Sequence, residues 1–306
     1  MPTTPTALHV TEARLHDAYG PVTLRGMSLF WSQWGEQFYN RETLAWLKDD
    51  WKIDLIRAPL GVDADHDGYL ADPKREMRKI SAMVEAAIAL DLYVIVDWHT
   101  HHPHVDAARA FFVEMARRYQ GAANVIFELW NEPGPDYAWD RDIRPYHQAV
   151  LQDLRSVMPD ALVILGTELY SQRVDRALAA PVDDANACYA LHFYAASHGR
   201  DLRGVAEEAA ERGLALFASE WGLSESTGDG ALDLKEAENW WRFLEARGVS
   251  DAGWSLFDKL ETSAALWPGA SPCGHWPIEA LTPSGLAMRR RLRAYASRRD
   301  LKFRVV

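Results

Sequence analysis

The chain has 306 residues, enough for one large domain or two ordinary ones, and 48% of them are hydrophobic, so a sizeable core is available. A formal net charge of -11 argues against a nucleic-acid or anionic-membrane partner, whose phosphates would repel it, and suits an uncharged substrate. No apolar run is long enough to span a bilayer.

Met1-Pro2-Thr3-Thr4-Pro5-Thr6 has no basic head followed by an apolar stretch, so no leader peptide is read there. The expectation is a secreted protein whose leader is absent from this chain, with a cytoplasmic one as the alternative. Residues 8–20 then read as a small β-hairpin. Apolar, strand-like runs follow at 22–27, 54–60, 93–99, 125–132, 162–167, 188–194, 214–221 and 250–257. Amphipathic stretches alternate with them at 42–50, 73–90, 107–119, 141–158, 173–180, 202–212, 234–247 and 284–298. In the second of these, Met77, Ile80, Met83, Val84, Ala87 and Ile88 fall close to helical spacing. Continuous runs such as Tyr93-Val94-Ile95-Val96 suit parallel strands covered by helices.

Eight strand–helix units of about thirty residues match the rhythm of a (β/α)8 TIM barrel, an α/β fold, with the hairpin closing its floor. No linker or repeat interrupts it, so a single domain over 1–306 is expected. An open doubly wound sheet is the alternative, but no Gly-rich phosphate loop follows the first strand. Cys188 lies in a strand-like run and Cys273 in a Gly/Pro loop, and no disulfide between them is expected.

Polar residues gather where the strands end, the place where this fold keeps its chemistry. They are Arg57, His99, Asn131 and Glu132, His192 and Tyr194, Glu220, and Trp254. Two glutamates close apolar strands, Glu132 before Pro133 and Glu220 before Trp221. A carboxylate gains nothing at such a position unless its charge or proton is used. Two on separate strands are the minimum for cleaving a glycosidic bond: an acid for the departing oxygen, and a base or nucleophile beneath the sugar. Glu132, partly desolvated and near a second carboxylate, is expected to have a raised pKa and to act as acid and then base. Glu220 is the expected nucleophile, with Arg57 as its cationic partner and Tyr194 as its hydrogen-bond donor. Asn131 is placed for the sugar 2-hydroxyl, and His99 and His192 for orienting carboxylates and hydroxyls. The 13 Trp beside 11 Tyr exceed what a core needs, and indoles stack on sugar faces, although core packing is an equal reading for any one of them.

These residues resemble the retaining (β/α)8 glycosidases with acid/base and nucleophile on strands four and seven, and more narrowly glycoside hydrolase family five in its bacterial endoglucanase branch. The matching segments are Arg25-Gly26-Met27-Ser28 with Gln33-Trp34, Ile56-Arg57, Val96-Asp97-Trp98-His99, Asn131-Glu132-Pro133, His192-Phe193-Tyr194-Ala195, Ser219-Glu220-Trp221-Gly222, Trp254-Ser255-Leu256 and Ser263-Ala264-Ala265-Leu266. The resemblance implies an endo-β-1,4-glucanase (cellulase) acting on β-glucan polysaccharide or cello-oligosaccharide, with retention and no cofactor; no metal and a monomeric chain are expected besides. It implies that Trp254 floors the sugar bearing the scissile bond and that Trp34 stacks one further toward the non-reducing end. Lys259 and Glu261 would bond hydroxyls on that side, and Tyr170 would take the aromatic place on the leaving-group side. The chain departs from the pattern in having Phe30 where a histidine is common and Gly61 where some members have tyrosine.

Other readings remain at this point. Mixed-linkage glucan, mannan, xylan and xyloglucan are alternative substrates. His99-Thr100-His101-His102-Pro103-His104 invites a metal-dependent barrel amidohydrolase, but the eighth strand ends in Trp254 and Ser255, without the aspartate such a site needs. A non-catalytic carbohydrate-binding protein would keep the tryptophans and lose a carboxylate, and both glutamates are present.

Overall fold

The computed structural model describes residues 4–304. The N-terminal leader reading and the outer limits of the expected 1–306 domain therefore extend beyond the described residues. The chain opens with a small antiparallel sheet, β1 (His9–Thr11), β2 (Arg14–Asp17) and β3 (Gly20–Pro21). Eight parallel strands follow: β4 (Arg25–Leu29), β5 (Leu55–Gly61), β6 (Tyr93–His99), β7 (Val125–Glu128), β8 (Val163–Leu165), β9 (Ala187–Tyr194), β10 (Leu216–Gly222) and β11 (Ser250–Leu256). They close into a barrel in sequence order, with β11 pairing back onto β4. The helices between them form the outer layer, among them α1 (Arg41–Trp46), α2 (Pro73–Ala89), α3 (Val105–Arg118), α4 (Arg144–Val157), α5 (Val174–Ala179), α6 (Arg200–Glu211), α7 (Leu234–Arg247) and α8 (Pro283–Arg304).

Period-two alternation divides each strand between two cores. On β6, Val94, Val96 and Trp98 face the helices, while Tyr93 and Ile95 face the barrel axis. On β5, Ile56, Ala58 and Leu60 point out and Leu55 points in, and on β9, Leu191 and Phe193 point out while Cys188 and Ala190 point in. Leu8 and Leu15 of the N-terminal segment pack into the inner core, so the small sheet plugs the floor as expected. Asn186 fixes it there, accepting from the Val10 amide (2.9 Å) and donating to the Leu8 carbonyl (3.0 Å). Six tryptophans, Trp51, Trp98, Trp130, Trp139, Trp221 and Trp240, are fully buried side chains.

Two expected strand limits shift for local reasons. The first begins at Arg25 rather than residue 22, because Gly20 and Pro21 pair with β2. The fourth ends at Glu128 rather than residue 132. Beyond it the chain still hangs on neighbouring strands, through the Leu129 amide to Ile164 O (2.9 Å) and the Asn131 amide to Trp98 O (3.0 Å). Close approach there requires Gly166, since a Cβ at that position would lie 1.9 Å from Trp130 O. Cys188 and Cys273 are free thiols, one buried and one exposed.

Candidate active site

The alternation that buries Leu55, Ile95 and Ile126 inside the barrel puts Arg57, Asp97 and Glu128 one layer above them, toward the C-terminal mouth. Arg57 is fully buried and spends its guanidinium on five partners, the most distant being the Ser28 hydroxyl, which accepts from Nη1 at 3.4 Å. Nε donates to Glu128 Oε2 (2.7 Å), Nη1 to Glu220 Oε2 (2.8 Å), and Nη2 to Asn131 Oδ1 (2.6 Å) and Asp97 Oδ2 (2.9 Å). Burial opposes its charge, but the carboxylates of Asp97, Glu128 and Glu220 outweigh that and raise its pKa. Guanidinium only donates, so the Asn131 oxygen must face Arg57, which leaves the amide NH2 as the group with hydrogens to offer.

Glu220 reaches this layer through a β-bulge. Phe217 pairs with Ala190 and Glu220 with His192, so β10 spends three residues where β9 spends two. Ser219 and Glu220, though adjacent, thereby both serve the inner face: the Ser219 hydroxyl donates to Glu128 Oε1 (2.6 Å), while Glu220 meets Arg57. The Tyr194 hydroxyl donates to the second Glu220 oxygen (2.8 Å). Burial and the charges of Glu220 and Glu132 push Tyr194 well above its usual range, so it stays a donor. Gly222 makes room for that ring, because a Cβ there would fall 2.4 Å from it.

Glu132 sits across the mouth, bonded to His192. Nδ1 of His192 lies 2.9 Å from Glu132 Oε1, and Nε2 lies 3.0 Å from the Ser219 oxygen. Ser219 already gives its hydrogen to Glu128, so Nε2–H must be the donor to Ser219, and one proton is shared between Nδ1 and Glu132. Burial disfavours charge on His192, but its contacts with Glu128 and Glu132 and the Glu220 charge outweigh this and raise its pKa to about 9. The expected raising of Glu132 is not found. Burial pushes that carboxyl up, but the His192 hydrogen bond and charge, with His101 and His99, pull it below its ordinary value. In the resting site the shared proton belongs to the imidazole.

This cluster also sets a stability window. His192, held at about 9 against an ordinary 6.5, contributes stability that is complete below pH 6.5 and is lost as pH rises through 9. Glu128, drawn down to about 2 against 4.5, contributes above pH 4.5 and loses this as pH falls toward 2. Melting temperature is expected to fall between pH 6.5 and 9, and His192→Gln to flatten that slope. A variant with the wild-type slope would contradict the assignment.

The walls are aromatic. Trp254 is buried, with its ring stacked on His99 at 5.3 Å and 4°. Burial, with Arg57 nearby, drives His99 down to about 3, and its Nδ1–H reaches Asp97 Oδ2 at 2.7 Å. Trp34 is 46% exposed and leans on Trp31 (5.3 Å) and Phe30 (6.3 Å). Lys259 and Glu261 form an ion pair, with Lys259 Nζ 5.0 Å over the Phe30 ring, which places them on the Trp34 side. Tyr170 stands opposite, edge-on to His101 at 5.6 Å. Leu169, Tyr170 and Ser171 all have left-handed backbone (φ 56°, 57° and 57°), a conformation costing about 1–2 kcal/mol per L-residue. Hydrogen bonds to the acid's own segment hold it: Tyr170 N to Pro133 O (2.9 Å) and Ser171 Oγ to Asn131 O (2.7 Å).

All the site residues expected from sequence thus line one mouth of the barrel or the layer beneath it. Those the sequence reading missed are Asp97, Glu128 and Ser219 under the carboxylates, and Trp31 in the wall, 4.1 Å from His99. The signal for Asp97 and Glu128 was present, as lone acids at inward positions of apolar strands. Among the described residues, the acidic and histidine side chains that converge closely enough for a metal are Glu132, His192 and Glu220. Both Glu220 oxygens already accept hydrogen bonds, and a dication would face the Arg57 guanidinium across the same carboxylate, so the cluster suits protons better than a metal. His101, His102 and His104 turn instead to the Glu132 carbonyl, the Tyr137 hydroxyl and Asp63.

A (β/α)8 barrel that sets two opposed carboxylates over a buried arginine, between aromatic walls, has the architecture of a glycosidase. The chain belongs to glycosyl hydrolase family 5: the family described as "Cellulase (glycosyl hydrolase family 5)" matches residues 15–260. It is 44% identical to Endoglucanase A of Evansella cellulosilytica, over 90% of this chain and 57% of that one. Endoglucanase N of Pectobacterium atrosepticum is 42% identical over 95% of this chain and 66% of its own length, so the chain spans roughly three fifths of these relatives. The solved catalytic domain of a Thermobifida fusca endoglucanase superposes with a TM-score of 0.89 at 34% identity, covering 94% of this chain and 97% of that one. A variant of that endoglucanase has been solved in complex with cellotetraose. No helix among the described residues is long and apolar enough to cross a membrane.

Proposed function

We propose that this chain is a retaining endo-β-1,4-glucanase, a catalytic unit built on the single barrel, that cleaves internal bonds of β-glucan chains by double displacement. One observation carries the reading: carboxylate oxygens of Glu132 and Glu220 lie within 4.8 Å of each other. Retaining pairs stand about 5–5.5 Å apart, whereas inverting pairs need about 6.5–9.5 Å to admit a water. Glu220, its charge balanced by Arg57 and its oxygens held by Arg57 and Tyr194, attacks the anomeric carbon. Glu132 gives a proton to the departing oxygen, drawing it from the shared bond with His192. In the second half Glu132 takes a proton from water, which displaces Glu220 from carbon, and His192 restores the resting state. The Asn131 NH2 holds the sugar 2-hydroxyl, and Trp254 and Trp34 supply apolar floors for successive rings.

The endoglucanase relatives and the cellotetraose-bound neighbour support a β-1,4-glucan as substrate. A polymer too large to enter a cell is met outside it, which supports secretion. The test is a reducing-sugar assay across carboxymethylcellulose, barley β-glucan, mannan and xylan, with product lengths resolved. Release of mixed-length oligosaccharides from carboxymethylcellulose, unchanged by a chelator, is expected. Faster hydrolysis of mannan or xylan, or release of a single short product from chain ends, would overturn the substrate or the internal mode.

A further inference from the structure

His101 helps to hold the Glu132 pKa down, but it has no substrate contact in the mechanism described above. It lies two residues beyond β6, and its side chain is 41% exposed in the cleft. Nδ1 is 3.1 Å from the backbone carbonyl of Glu132 and 3.8 Å from that residue's Oε2. A carbonyl only accepts, so Nδ1 carries a hydrogen and the tautomer of the neutral ring is fixed. Nε2 then holds the lone pair, and it makes no hydrogen bond to any described residue. The ring spans from Trp31 (6.2 Å) to Tyr170 (5.6 Å), directly beside the acid.

Geometry limits what can lie over this ring. Glu132 must come within about 2.6–3.2 Å of the oxygen it protonates. Whatever is bonded to the far side of that oxygen passes close to a ring 3.8 Å from the same carboxylate. On the mechanism proposed above, the sugar kept by the enzyme lies the other way, over Glu220 and toward Trp254, whose ring stacks on His99. We infer that His101 is a specificity-determining residue of the leaving-group side, its Nε2 accepting a hydrogen bond from one hydroxyl of the first departing sugar. The inference rests on Glu132 being the acid and adds a contact to that reaction. The carbonyl bond holds the ring before substrate arrives, so the contact costs little ordering. A site built to bond a hydroxyl discriminates against a sugar that lacks it or points it elsewhere.

The test is a cycle between protein and substrate. Cellotetraose analogues would carry hydrogen in place of each hydroxyl, in turn, on the third sugar from the non-reducing end, the first of the departing pair. Leaving-group basicity is nearly constant across this series, so a change in acid catalysis shifts all members alike. The wild-type chain is expected to lose about five- to tenfold in kcat/KM for one analogue, the worth of one net hydrogen bond. His101→Phe, which keeps the ring and removes the nitrogens, is expected to lose about twofold or less on that same analogue relative to its own parent rate. Equal sensitivity in both proteins, or a wild type indifferent to every deletion, would overturn the inference and leave the glucanase reading standing. A wild type inactive on the parent would refute the glucanase reading itself.

Discussion

Glu220→Gln is expected to cut turnover of β-glucan about 10⁴-fold or more while cello-oligosaccharide binding persists. The substitution is nearly isosteric, but an amide is a poor nucleophile and offers Arg57 no charge. Arg57 would then be left with Asp97 and Glu128, which still hold it in place. Trp254, Trp34 and the Asn131 amide are untouched, so the sugar's apolar faces and its 2-hydroxyl keep their partners. Calorimetric titration with cellotetraose, read beside the assay, separates the two effects. Persistent turnover would remove Glu220 from the nucleophile's role, and loss of binding with a melted fold would show that the carboxylate is structural.

Glu132→Ala should behave differently, because an acid matters in proportion to how badly the leaving group needs a proton. A loss of about 10²–10⁴-fold is expected on carboxymethylcellulose and a much smaller one in the first step on dinitrophenyl cellobioside, whose phenolate departs unaided. The glycosyl-enzyme would then accumulate, since no base activates water, and the assay should show a burst. Azide, which needs no base, should restore turnover and yield the β-glycosyl azide. Equal losses on both substrates, or an α-azide, would contradict the assignment. His192 would lose its partner at Nδ1, so the high pKa supported by Glu132 should fall in this variant.

Much of this arrangement was legible in the sequence, for a physical reason. A barrel strand is apolar on both faces, so a charged residue within it stands out, and Arg57, His192 and Glu220 were found that way. Asp97 and Glu128 stand out equally, but His99 and Asn131-Glu132 lie nearer the expected ends of the same strands and take the chemical roles in the sequence reading. Asp97 and Glu128 lie one layer lower, where burial makes them partners of Arg57. Ser219 could not be read at all. Period-two alternation assigns neighbours to opposite faces, and only the bulge between Phe217 and Glu220 brings both to one side. The left-handed turn at Leu169–Ser171, which presents Tyr170 and Leu169, likewise has no glycine to announce it.

The direction of the Glu132 shift was misjudged from sequence for a related reason. Desolvation and a nearby carboxylate were visible, and both push a carboxyl up. The opposing influence was His192 held as an imidazolium, and that depends on the Ser219–Glu128 hydrogen bond fixing Nε2 as a donor. Three strands, β7, β9 and β10, contribute to that relay.

The anomeric form of the first sugar released, followed by proton NMR before mutarotation sets in, tests the shared role of residues 132 and 220 more directly than any variant. Opposed carboxylates this close leave no room for a water beneath the anomeric carbon, so the new reducing end must emerge in the β configuration and decay later toward the equilibrium mixture. An initial α signal would mean that water attacked the substrate directly, and would contradict a covalent intermediate on Glu220.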